Sequence, residues 1–266
     1  MKVLTSLSLI TLFLFGCKSK ESVLLKLKYE KDEQLDYIIS VKADCSTQVH
    51  YNTSVYFTYT VDSIFNNSEF FMDSRITAIK TDINIPTFPG PDYNEEFDSD
   101  KSYADMNEEE QQAYAKYDSV MSKDYQLGYN SNGEIIKTFT VYGKVVTAPF
   151  STGVFQVPFP GYKVKIGDTW KASIDNPLIN SSTKLAPSNC TFTYTVNDIT
   201  ATQVIINVAV EMQQLGNINE DNSNFKGTGI YKINKKNGRV EDGYIKVPLK
   251  GCDDALISVT PNKNDN

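Results

Sequence analysis

One eight-residue segment occurs twice in this chain. Phe57-Thr-Tyr-Thr-Val-Asp-Ser-Ile64 and Phe192-Thr-Tyr-Thr-Val-Asn-Asp-Ile199 agree at six of eight positions. Each alternates Phe, Tyr and Val with threonine, the period-two pattern of a half-buried strand. Each is also followed by an Asn-Gly turn signal, Asn132-Gly133 and Asn237-Gly238, between strand-like runs. A strand that recurs with its own turn specifies two copies of one β unit. From Phe57 to Gly133 is 76 residues, and from Phe192 to Gly238 only 46. The longer first copy therefore carries an insertion.

Alternating or β-branched runs fill most of the remainder, at 24–29, 36–43, 49–65, 70–85, 125–129, 135–147 and 162–171. The last reads as strand, tight Gly167-Asp168 turn, strand. These patterns predict a mostly antiparallel β fold of about eleven or twelve strands. Two related units, about 23–148 and about 162–260, form a curved open sheet or half barrel within a single domain over 23–266. Pro86, Pro89, Gly90 and Pro91 break the pattern and open the insert, 86–124. From Asn107 the period becomes helical. Asn107 caps, Glu108, Glu109 and Glu110 suit the positive end of the dipole, and Ala113, Tyr114, Tyr117, Val120 and Met121 share a face. One helix over 107–123 is expected, against the concave side or over a sheet edge.

Charge is concentrated in that insert. Between Asp92 and Asp124 stand eleven acids and three lysines, while the rest of the chain after residue 16 balances at 22 against 22. The acidity belongs to this segment rather than to the fold, and it disfavours binding to nucleic acid or to anionic lipid surfaces.

The N-terminus reads as a secretion signal. Lys2 precedes an apolar run over 3–15, too short for a bilayer span of about 20 residues. It ends in Leu14-Phe-Gly-Cys17, the spacing of a bacterial lipobox. The expectation is removal of 1–16, acylation of Cys17, a polar tether over 17–22, and anchoring at the cell envelope, at the outer membrane. Three further cysteines remain, Cys45, Cys190 and Cys252. An oxidising compartment predicts one disulfide, and Cys190 with Cys252, which bracket the C-terminal half, is the favoured pair.

Catalytic chemistry has little to work with. His50 is the sole histidine, no glycine-rich phosphate loop occurs, and no Cys/His cluster has metal-ligand spacing. No cofactor is expected. Asp98, Asp100, Ser102 and Glu109 fall at positions 1, 3, 5 and 12 of a calcium-loop pattern. Tyr103 occupies the position that needs glycine, so a solvated acidic loop leading into the helix is the preferred reading. Sixteen tyrosines, fourteen phenylalanines and one tryptophan fill an ordinary core more readily than they line a ligand cavity.

Three features together resemble a family of Bacteroidota lipoproteins. They are the lipobox, Val164-Lys-Ile-Gly-Asp-Thr-Trp170 after a proline-rich lead-in, and the hairpin from Gly227-Thr-Gly-Ile-Tyr-Lys-Ile-Asn234 to Gly238. The anchor, long strands and helical insert are also similar to half-barrel lipoprotein carriers of the LolA/LolB type. That resemblance implies a curved sheet cupping an acyl chain. The functional expectation is a non-enzymatic envelope lipoprotein binding a hydrophobic or amphiphilic ligand. A structural or interaction component of an outer-membrane complex is the alternative, and an enzyme comes third.

Overall fold

The computed structural model describes residues 21–45, 49–86, 90–121, 124–138, 156–175, 188–214, 225–248 and 253–262. Fourteen strands and one α-helix are formed among them. The first unit contains β2 (Gln34–Asp44), β3 (His50–Phe65), β4 (Glu69–Ile85), β6 (Asp124–Asn130) and β7 (Ile135–Thr138). The second contains β9 (Thr169–Asp175), β10 (Ser188–Ile199), β11 (Gln203–Gln214), β12 (Phe225–Asn234), β13 (Val240–Val247) and β14 (Ala255–Pro261). Each unit is an antiparallel meander, and β14 pairs β2 to join them into one sheet. The order is β7-β6-β4-β3-β2-β14-β13-β12-β11-β10-β9.

The two units match in detail. An offset of 135 residues separates Phe57 from Phe192, and it relates the register of both ladders. Gln34 faces Thr60 and Leu35 faces Tyr59, as Thr169 faces Thr195 and Trp170 faces Tyr194. The Asp32 N–H donates to Val61 O at 2.8 Å, and the Gly167 N–H donates to Val196 O at the same distance. Asp32 and Gly167 both have positive φ, 64° and 90°, so one left-handed turn opens each unit. Both ladders then slip at the corresponding place, between Val61 and Ser63 and between Val196 and Asp198, and the first slips also between Tyr56 and Phe57. Each bulge adds local twist. Phe57 stacks on Tyr59 at 6.2 Å, as Phe192 does on Tyr194 at 6.0 Å. The repeated sequence is thus a repeated piece of geometry.

The alternating residues meet on one face of the curled sheet. Val55, Phe57, Tyr59 and Val61 from β3 join Phe192, Tyr194 and Val196 from β10 in a continuous buried cluster. The N-terminal stretch is strand only over β1 (Ser22–Leu24), which pairs with β8 (Lys163–Lys165). Residues 25–29 run on across the strand ends, burying Leu25 and Leu27. The Leu27 N–H donates to Ser131 O, and the Lys28 N–H to Asn237 O. Both Asn-Gly turns are therefore tied to this segment. Gly238, at φ 71°, lies so close that a Cβ there would stand 2.4 Å from Lys26 O. The strand, turn and strand expected over 162–171 are present, but the two strands do not pair with each other. β8 and β9 are separated by a tight turn but pair with β1 and β10 respectively.

The insert holds a strand that its sequence hides. β5 (Tyr93–Asp98) pairs with the Lys80–Ile85 end of β4. A 3-10 turn (Tyr103–Asp105) follows, then α1 (Glu108–Met121). Asn107 caps α1: its side-chain oxygen accepts from the Glu110 N–H, and the Glu110 carboxylate accepts from the Asn107 N–H, both at 2.9 Å. α1 packs on β4 and β5. Phe97 is 2% exposed beneath it and stacks on Tyr117 at 5.3 Å.

The expected Cys190–Cys252 bond is not formed. Cys190 is a free thiol, and the disulfide is made by Cys45. Cys190 lies on the inward face of β10, where burial pushes its thiol up to about 11. Cys45 instead directly follows β2, beside the approach to β14, where the Asp253 N–H donates to Asp44 O at 2.6 Å. Cys252 itself and Cys17 lie outside the described residues.

Candidate functional site

The end strands β7 and β9 bound a cleft of about 760 Å³. Eleven strands lie along the sheet path and every neighbouring pair is antiparallel, so the two end strands run in the same direction. They cannot continue the antiparallel ladder with one another. Residues 156–161 strap this seam at one end. Val157 and Phe159 are buried. The Phe159 N–H donates to Asn132 O at 2.6 Å, and Trp170 Nε1–H donates to Pro158 O at 2.7 Å. Trp170 stacks on Tyr194 at 5.5 Å, which fixes the strap to the second unit.

The first unit supplies the opposite wall through its Asn-Gly turn. Asn130 Oδ1 accepts from the N–H groups of Asn132 and Glu134, at 2.9 and 3.0 Å. This Asx turn places Gly133 at φ 81°. A Cβ at Gly133 would stand 2.8 Å from Val157 O, so glycine lets the turn meet the strap. Lys26 Nζ donates to Asn132 Oδ1 at 2.5 Å. The cleft thus has an aromatic floor of Tyr129, Phe159 and Trp170. Asn132, Glu134, Gln156, Lys171 and exposed Tyr162 provide polar groups around it.

The residues singled out by sequence lie elsewhere and do not converge. His50 starts β3 and is held between carboxylates, Nδ1 to Asp44 at 2.5 Å and Nε2 to Asp82 at 3.4 Å. The Asp44 hydrogen bond raises its pKa. Asp98 and Asp100 both pair with Lys80, at 3.2 and 2.7 Å. The Lys80 ammonium therefore stands where the calcium pattern needs an ion. Glu109 is exposed on the first turn of α1, and it is Glu110 that folds back to Asn107 and Lys101. Among the described residues, no group of three or more His, Cys, Asp or Glu side chains is arranged to hold a metal.

Sequence reading missed the seam because its walls come from segments distant in sequence. Pro158-Phe-Pro160-Gly161 beside Trp170 was the available signal, since prolines restrict the strap and supply no N–H groups. It also missed Arg239. This guanidinium reaches both Glu33 oxygens, at 2.6 and 2.5 Å, and Lys28 O, and lies over the Tyr29 ring at 4.7 Å. Burial alone would raise the Glu33 carboxyl, but bonds from Arg239 and the Glu30 N–H hold it below its usual range. Burial pushes the Tyr37 hydroxyl nearby up to about 12. The Arg239 contacts lock the second unit's turn to the first. No protein-family model and no curated protein matches this chain.

Proposed function

We propose that the protein is a non-enzymatic lipoprotein, held at the outer membrane through acylated Cys17, that binds an amphiphilic ligand in the seam cleft. The supporting observation is the cleft itself. Its volume, about 760 Å³, lies within the usual range for small-molecule sites, and it sets a small aromatic floor within a mostly polar lining. The sheet interior favours this placement over an acyl-cupping cavity, because its side chains already form a continuous core. The ligand therefore sits at the edge of the fold, with its apolar part on Phe159 and Trp170 and its polar part toward Glu134 and Lys171.

A second reading, a structural or interaction component of an envelope complex, is favoured by the same filled core. The separating experiment is native mass spectrometry of the protein purified from its own envelope. A bound amphiphile is expected, and Ala172→Trp, which fills the cleft from β9, is expected to remove it. A ligand-free mass for the unaltered protein, with envelope proteins co-purifying, supports the second reading instead.

A further inference from the structure

We propose that the outer face of the β1–β8 ribbon lies on the lipid surface that holds the anchor. This rests on the acylation of Cys17 put forward above and adds which face of the protein meets the membrane. The ribbon is two-faced. Val23 and Val164 point inward, 8% and 0% exposed. On the other face Leu24 is 43% exposed, and Tyr162 and Ile166, which flank β8 at its two ends, are 52% and 48% exposed. Lys163 is paired opposite Leu24, and Lys165 opposite Ser22. Both lysines are exposed. A monomeric soluble surface has little reason to group aliphatic, tyrosine and lysine side chains in this way. A membrane interface does: aliphatic groups enter the acyl boundary, the tyrosine ring sits among headgroups, and lysines extend to the phosphates.

Chain length fixes the occupant. Ser22, the first residue of β1, is five residues from Cys17. Even fully extended, that link spans at most about 17 Å, so an anchored Cys17 keeps the ribbon close to the bilayer. The sixteen residues of β3 reach about 50 Å from this end of the sheet. The acidic insert lies toward the far end, where β5 pairs with Lys80–Ile85. Its eleven acids against three lysines are thereby directed away from anionic headgroups, which would repel them.

Hydroxyl-radical footprinting tests the orientation on the protein as it exists. The lipoprotein is reconstituted into phosphatidylethanolamine/phosphatidylglycerol vesicles and compared with the Cys17→Ser chain free in solution. Tyr93 and Tyr103, 43% and 55% exposed in the insert, serve as internal references. Labelling of Leu24, Tyr162 and Ile166 is expected to fall severalfold on vesicles while Tyr93 and Tyr103 are unchanged. Unchanged labelling of the ribbon, or equal protection of the insert, overturns the proposal and leaves the anchor standing. An N-terminal peptide mass with no acyl chains on Cys17 overturns the anchoring and this orientation together.

Discussion

His50 shows how a residue that looks catalytic by type becomes structural by environment. Asp44 and Asp82 bracket its ring across neighbouring strands, and among the described residues no nucleophile is joined to it. Because the Asp44 bond raises its pKa above 6.5, His50 is more readily protonated folded than unfolded. Its contribution to stability is therefore fully present below the unfolded pKa and fades as pH rises through the folded value. An NMR titration is expected to place His50 above 6.5, with Asp44→Asn bringing it down. In thermal melts, the advantage of the unaltered protein over Asp44→Asn is expected to shrink as pH rises. A gap that widens with pH rules this account out. Such a role was not legible in the sequence, where Asp82 is thirty-two positions from His50.

At the scale of elements, α1 was legible because every cause of it is local. The cap, the acidic first turn and the apolar face all lie within fifteen consecutive residues. Asn107→Ala removes the side-chain acceptor for the Glu110 N–H and is expected to cost about 1 kcal/mol. Faster amide exchange in the first turn of α1, with β10–β12 unaffected, is the measurement; no change there contradicts the capping role. β5 was illegible for the converse reason. Tyr93-Asn-Glu-Glu-Phe-Asp98 has weak strand preference by itself, and it is a strand because β4 offers a free edge and α1 covers Phe97. The β8–β9 segment lies between these cases: its turn was visible, while the partner of each strand depends on residues 22–24 and 189–195.

For the whole molecule, antiparallel pairing of β14 with β2 links the two meanders, while the chain itself passes from β7 at one end of the path to β9 at the other. The same arrangement leaves β7 and β9 as parallel-running ends at the seam. The disulfide belongs to the junction of the meanders. Cys45 is bonded and Cys190 is not, and Asp44 and Asp253 share a backbone hydrogen bond. With Cys17 acylated, a non-reducing peptide map is expected to join the Cys45 peptide to that containing Cys252. Cys190, buried and with a raised pKa, is expected to alkylate only on denaturation. A Cys190 cross-link would falsify this assignment. Reduction is expected to loosen the β2–β14 end of the sheet before the turns held by Arg239, as read by hydrogen exchange.

The sequence by itself determined most of the strands, the helix, the repeat and the acidity of the insert. Each is set by periodicity or neighbouring residues, which side-chain direction and local hydrogen bonding translate directly into structure. Only the tertiary structure decided the disulfide partner class, the strand hidden in the insert, the Arg239–Glu33 lock and the seam cleft. Those depend on how far the sheet curls and on which distant segments its eleven-strand path brings face to face, quantities that burial and strand twist set jointly over the whole chain.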